Sequence, residues 1–192
     1  MELKIELAED FTEVKDFVCG VDELDENKHL WSCYSEHHLA VFYFVRDCVS
    51  KTVIAVFALQ NDSLVLDSDD KEDMKSGIVS IPHIQTEDFY DEFFSRRDYP
   101  ATELALLVVD KSYQRKGVGQ IVVTAIFEML RDSSLSGCVF MTVEAISVTG
   151  YSTCAFYRKL GFSNCFPVPR QGTLRMYAPL YPEHSGTDLS VA

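Results

Sequence analysis

The sequence predicts an α/β fold: one domain over residues 1–192, with a mixed, mostly antiparallel central sheet of six to seven strands flanked by helices. Three observations predict it. Apolar runs of strand length alternate with runs of helical period along the chain. Two strand-like runs, "LAVFYFVRD" and "KTVIAVFALQND", are separated by only a short polar break at residues 47–50, as in an antiparallel hairpin. No internal repeat, low-complexity run or linker interrupts the order β-α-α-β-β-(β)-α-β-α-β.

Each element has its own signal. "MELKIEL" alternates polar and apolar residues and reads as the first strand. In "EDFTEVKDFVCG", Phe11, Val14, Phe17 and Val18 have the spacing of a short amphipathic helix that stops at Gly20. "VDELDENKHLWSCYSEHH" predicts a second helix with Leu24, Leu30 and Trp31 on its apolar side. After the hairpin, "SDDKEDMKSG" reads as a charged turn or short helix. Residues 77–100 carry Pro82, Pro100 and the cluster Phe89, Tyr90, Phe93, Phe94, Arg96 and Arg97, and predict an irregular insertion of the kind that commonly faces substrate.

"TELALLVVD" is almost continuously apolar and reads as a central strand. "VGQIVVTAIFEMLRDSS" predicts a helix with Ile121, Ala125, Phe127, Met129 and Leu130 mostly inward. "CVFMTVEA" is a further buried strand, and "YSTCAFYRKLG" a helix closed by Gly161. The last strand, "TLRMYAPL", follows the Pro-rich loop "FPVPRQG" and offers an edge that could pair in a homodimer.

Composition narrows the function classes. With 47% hydrophobic residues the chain can bury a core, which excludes a disordered protein. No apolar run approaches the ~18 residues of a membrane span, and the charged first ten residues show no signal-peptide pattern. The six cysteines (Cys19, Cys33, Cys48, Cys138, Cys154 and Cys165) form no C-x-x-C pair. They read as reduced thiols of a cytoplasmic protein, mostly small buried hydrophobes, with no metal site. Seventeen Lys plus Arg against 30 Asp plus Glu give a net charge of −13. Such a surface repels phosphate backbones and makes a nucleic-acid partner unlikely, though tRNA stays open; it mildly favours cationic amines, and solubility alone is the weightier reading.

The chemistry concentrates at "QRKGVG", between the strand "TELALLVVD" and the helix that follows. A helix N-terminus exposes unpaired N–H groups and about half a positive charge. Gly117 and Gly119 let the backbone turn sharply and admit a ligand close to it, while Arg115 and Lys116 add charge at the rim. The combination predicts an anion cradle suited to a phosphate or pyrophosphate. A packing turn is the plainer alternative. Neither the P-loop spacing nor the dinucleotide G-x-G-x-x-G is met.

In context the chain resembles the GNAT family of N-acetyltransferases. The turn meets the family's pattern Gln/Arg-x-x-Gly-x-Gly/Ala through Gln114, Gly117 and Gly119, and "AFYRKLGF" supplies its second mark through Phe156, Tyr157, Gly161 and Phe162. The resemblance is strong over residues 102–165. It implies a GNAT-like fold, acetyl-CoA as cosubstrate and no metal. The pyrophosphate would sit on residues 114–120 (Gln114, Arg115, Lys116, Gly117, Val118, Gly119, Gln120), and the pantetheine arm would pair like an added strand with Leu107, Val108 and Val109.

Acetyl transfer needs an amine without its extra proton and an acid for the departing thiolate. The resemblance places Tyr157 as that acid; a core tyrosine is the plainer reading. Glu103, sharing a strand face with Ala105, Leu107 and Val109, is the first candidate for the base. Glu144 in "MTVEA" is the second, and a glutamate in so apolar a run should be raised in pKa or paired. His83 is a weaker third, and ordered water can replace any of them. The family's cofactor-binding asparagine before the last helix is missing near Gly150, where Ser147, Tyr151 or Ser152 could stand in.

The acceptor reads as a primary amine, on a small molecule or a protein. "FVCGVDELDE" also resembles the F-x-C-G-x-x-x-L-D opening of the branch of tRNA-acetylating toxins, which implies a toxin–antitoxin protein acting on aminoacyl-tRNA. That role would need Arg96, Arg97, Arg115, Lys116, Arg158, Lys159 and Arg170 to gather on one face. A third reading is a non-catalytic acyl-CoA-binding module.

Overall fold

The computed structural model describes residues 2–84, 86–133, 136–165 and 172–182. The Pro-rich loop and Arg170 lie outside the described residues. The chain begins with β1 (Leu3–Leu7), a 3-10 turn (Phe11–Val14), α1 (Asp22–Glu26), α2 (His29–Glu36), β2 (Val41–Asp47) and β3 (Val53–Val65). It continues through α3 (Ser68–Lys75), α4 (Glu87–Ser95), β4 (Asp98–Val109), a second 3-10 turn (Lys111–Tyr113) and α5 (Val118–Asp132). It closes with β5 (Phe140–Val148), β6 (Tyr151–Ser152), α6 (Cys154–Lys159), β7 (Ser163–Asn164) and β8 (Thr173–Pro179).

The strands form a mixed sheet in the order β1-β2-β3-β4-β5-β8-β7, with β6 on β5. It has eight strands because two-residue strands, β6 and β7, join the longer ones, and runs that short leave no periodicity to detect. The last strand, β8, lies between β5 and β7 and is not the edge strand that the sequence suggests.

The chain forms two compact units, Met1–Asn61 with Thr102–Glu128, and Asp62–Ala101 with Met129–Ala192. In the first, β2 and β3 make the expected antiparallel hairpin, with β1 antiparallel on β2. Their inward residues Phe42, Phe44, Val56 and Ala58 pack with Phe17, Trp31 and Val108. Trp31 stacks on Phe42 at 6.3 Å and meets Phe17 edge-on at 6.4 Å. Burying each such ring stabilises the unit by about 2–3 kcal/mol. The helix expected in "EDFTEVKDFVCG" is only the 3-10 turn capped by Asp10, because the residues after it bond outward to other segments. In α5 the buried stripe is Val118, Val122, Val123 and Ile126, while Ile121 is 46% exposed. The inward face is therefore turned from the one expected.

In the second unit Phe93, Tyr99, Phe140 and Tyr177 build the core. Phe140 meets Tyr99 and Tyr177 edge-on at 5.6 and 5.7 Å, contacts worth roughly 1 kcal/mol each beyond their burial. The Tyr99 hydroxyl donates to the Phe93 carbonyl at 2.6 Å. Residues 77–100 are less irregular than expected. Thr86 caps the nine-residue α4, whose Phe93 and Phe94 are buried, and β4 begins at Asp98.

Candidate functional site

β4 lies beside β3 in the sheet, and just past its end the Asp110 N–H donates to the Ile54 carbonyl at 2.8 Å. Leu107, Val108 and Val109 are the last three residues of β4, at the end that leads into the turn. Leu104 and Val108 are buried, whereas Ala105 is exposed and Glu103 half-buried. The face carrying Glu103 is the more open one.

After β4, Asp110 caps the 3-10 turn by accepting from Ser112 N–H at 2.9 Å. Gln114 is extended, Arg115 enters the left-handed region at φ +59°, and Gly117 does so at φ +82°. Gly119 instead sits in the first turn of α5, so the sharp steps fall on Arg115 and Gly117. For arginine that conformation costs about 1 kcal/mol and must be held from outside. Ile121 N–H bonds to the Gly117 carbonyl at 3.1 Å; the N–H groups of Val118, Gly119 and Gln120, just before it, have no acceptor within the helix. A Cβ built on Gly117 meets no atom within 4 Å, so the space before the turn is open. Lys116 holds its ammonium 5.2 Å over the Tyr113 ring. Val118 is buried and anchors the helix start, leaving only its backbone to meet a ligand.

The Gln114 side chain is engaged inside the protein. Its Nε2 donates to the Cys19 carbonyl at 2.7 Å and to the Val109 carbonyl at 2.9 Å. Cys19 in turn is held by Asp25, whose two oxygens accept from Cys19 N–H (2.9 Å) and Gly20 N–H (2.8 Å). Desolvation pushes the Asp25 carboxyl up, but these donors outweigh it and hold the group below the usual 3.8. Sequence reasoning assigned no site role to Cys19, Asp25 or Gln60. The signal for the first two was the F-x-C-G-x-x-x-L-D segment itself.

Two carboxylates were candidates for the base, and their surroundings differ. Glu103 Oε2 accepts from Gln60 Nε2 at 2.7 Å, and its other oxygen takes no hydrogen bond among the described residues. Glu144, in the second unit, faces Arg175 across the β5–β8 ladder. Its Oε2 accepts from Thr173 Oγ1 at 3.0 Å and its Oε1 from Arg175 Nη1 at 3.4 Å. The same guanidinium reaches Asp62 Oδ2 at 2.6 Å, and Thr142 Oγ1 donates to that oxygen at 2.5 Å. Arg175 thus sits between two carboxylates, the three side chains being 24%, 17% and 17% exposed.

Tyr157 is buried on α6 between Phe156 (5.0 Å) and Phe162 (5.4 Å), both edge-on. Burial, with a smaller contribution from Tyr151, pushes its phenol well above the ordinary 10. Its hydroxyl bonds to no described residue. Ser152 accepts from Cys154 N–H at 3.3 Å at the start of α6, and Ser147 N–H donates to the Gly172 carbonyl. His83 is exposed, with its N–H on the Tyr181 carbonyl. Among the described residues no group of His, Cys, Asp and Glu could hold a metal ion, and no helix is long and apolar enough to cross a membrane.

A model of the acetyltransferase (GNAT) family matches residues 24–162. Among solved structures, AtaT complexed with acetyl-methionyl-tRNAfMet is 20% identical at a TM-score of 0.64, over 93% of this chain and 95% of that one. A bacterial toxin is 18% identical at a TM-score of 0.68, over 93% and 91%. AtaTR bound with AcCoA is 17% identical at a TM-score of 0.62, over 93% of each chain. At these identities the likeness shows a shared fold. No curated protein sequence matches the chain.

Proposed function

The chain belongs to the acetyltransferase (GNAT) family, and on that footing we propose that it moves an acetyl group from acetyl-CoA to a primary amine by direct attack in a ternary complex. The observation that carries this reading is the turn of residues 114–120: two left-handed steps, a row of helix N-terminal N–H groups and open space before Gly117. Those donors suit a pyrophosphate. From Val109 to Glu103 is about 20 Å along the strand, so a ligand using both must be long, thin and anionic at one end, as acetyl-CoA is. When bound, it supplies the activated acetyl group.

The residues then have distinct tasks. The backbone of Leu107, Val108 and Val109 pairs with the pantetheine amides, while Arg115 and Lys116 add charge around the phosphates. Glu103, oriented by Gln60, takes a proton from the attacking amine through its unbonded oxygen. Tyr157 keeps its proton across neutral pH because burial disfavours the phenolate, and it stabilises the departing thiolate by hydrogen bonding. Glu144 is the weaker base, since Thr173 and Arg175 occupy its oxygens. Ser152 stands where the family's asparagine is missing. We read residues 1–192 as one acyltransferase domain working in the cytoplasm.

Calorimetry with acetyl-CoA, followed by thiol release against a panel of small amines and peptides, tests the proposal. Binding with thiol release supports it. Absence of acetyl-CoA binding overturns it. Normal binding by both wild type and Tyr157→Phe, with no thiol released from any amine, leaves a non-catalytic acyl-CoA-binding module.

A second reading, a toxin that acetylates aminoacyl-tRNA, is supported by the 17–25 segment and by a fold shared with AtaT, which was captured with acetyl-methionyl-tRNAfMet. The net charge of −13 weighs against it. Growth arrest on expression, relieved by a small neighbouring antitoxin gene, would establish it.

A further inference from the structure

We propose that Asp25 is a positioning residue for the turn at Arg115, acting through the backbone of residues 18–20; this rests on reading that turn as the pyrophosphate seat of acetyl-CoA. The segment is tied on two sides. On one side Asp25 takes the N–H groups of Cys19 and Gly20, and the Lys28 ammonium bonds to the carbonyls of Phe17 and Lys15. One carboxylate thus receives two successive N–H groups, and the chain then turns through Gly20 at φ +79°. On the other side the Val18 carbonyl accepts Lys111 N–H at 2.8 Å, Val18 N–H donates to Asp110 Oδ2 at 3.4 Å, and the Cys19 carbonyl accepts Gln114 Nε2.

This arrangement explains why residues 15–20 leave the helical path: their polar groups are satisfied by other segments. It also supplies what the turn lacks. Arg115 is held in a conformation that an arginine does not favour by itself. The residue before it, Gln114, is fixed by two carbonyls, and one of these is set by Asp25. Without the carboxylate, two N–H donors lose their acceptor, the Cys19 carbonyl shifts, and Gln114 keeps only its bond to Val109. The N–H groups of the turn then spread over more than one direction. Asp25 sits half-buried on α1, and its hydrogen bonds reach only the segment that braces the turn.

The experiment uses the full chain with free CoA and acetyl-CoA as probes. Asp25→Ala should weaken CoA binding about tenfold in calorimetry, the scale of one lost charge-assisted hydrogen bond. The KM for acetyl-CoA should rise in step, with kcat changed less than about twofold. Asp25→Asn keeps one acceptor and should fall between, near threefold, which also covers the case in which the alanine variant does not fold. Combined with Gln114→Ala, the alanine change should add little, because both act on one bond. Wild-type CoA affinity in both Asp25 variants would overturn the brace while leaving the pyrophosphate seat intact. So would full additivity with Gln114→Ala, or a loss confined to stability. A wild-type protein that binds no CoA overturns the seat and the brace together.

Discussion

β4 and β5 are both strongly apolar strands carrying one glutamate, Glu103 in the first unit and Glu144 in the second, and the two meet opposite surroundings. Among the described residues Glu103 has a single neutral partner, Gln60, and one oxygen without a hydrogen bond. Glu144 has a threonine on one oxygen and a guanidinium on the other, shared with Asp62. A carboxylate with an unused oxygen can receive a proton from a ligand. One engaged on both sides must first break a structural bond. The pattern extends further: Asp10, Asp25 and Asp110 of the first unit lean on backbone N–H donors, whereas the polar groups around Arg175 lean mainly on one another.

The largest expected effect tests that contrast directly. Glu103→Gln should lower kcat with a good amine by about 10²–10⁴ and change stability by less than about 1 kcal/mol. Glu144→Gln should leave turnover within a few-fold. Equal losses in steady-state assays would erase the distinction between the two glutamates. Tyr157→Phe comes next, with a rate loss of about 10² and unchanged CoA affinity by calorimetry.

Arg175→Met should be a stability variant. It removes the guanidinium that Asp62 and Glu144 share, at a cost of about 2 kcal/mol after allowing for their partial exposure. The matched change beside Glu103, Gln60→Ala, should cost about 1 kcal/mol. Urea denaturation reads both, and a larger loss from Gln60→Ala would reverse the comparison.

The smallest effect is the pH dependence, in which the units diverge. In the second unit burial pushes Cys165 up to about 11 and Tyr99 up to about 12, and raises Tyr157 and Tyr177 as well. These groups bind protons more tightly when folded. Their contribution is complete below the ordinary 9.0 and 10.0 and is lost as pH rises through the folded values. In the first unit Arg46 holds Glu6 down at about 2, Thr12 lowers Asp10, and backbone and side-chain donors outweigh desolvation at Asp25 and Asp110. That contribution is complete above 3.8–4.5 and is lost as pH falls. Cys19, which burial raises, is the exception in this unit. Trp31, the single tryptophan, lies in the first unit. Its fluorescence should change first on acidification, while alkaline unfolding should appear first in tyrosine absorbance. The opposite order would contradict the division.

Much of the fold was legible because its signals are local. β4, β5 and the β2–β3 hairpin are runs of β-branched and aromatic residues with clear breaks, and α6 stops at Gly161 in the left-handed region at φ +88°. The turn after β4 was legible in composition, although its strain falls on Arg115 rather than Gly119. The inward face of α5 was misjudged because Ile121 and Val122 are equally apolar and only packing chooses between them. The helix expected near Phe11 was lost to bonds that its own spacing could not reveal.

By itself the sequence determined the family and the place of the candidate anion cradle, because strand length, glycine position and helix start depend on neighbours a few residues apart. Tertiary structure decided which glutamate keeps an unbonded oxygen and what steadies the turn. Those outcomes rest on bonds from Gln60 to Glu103, 43 residues apart, from Arg175 to Glu144, 31 apart, and from Gln114 to Cys19, 95 apart. No local pattern encodes such partners, because only the folded backbone brings the donors within 3.5 Å of their acceptors.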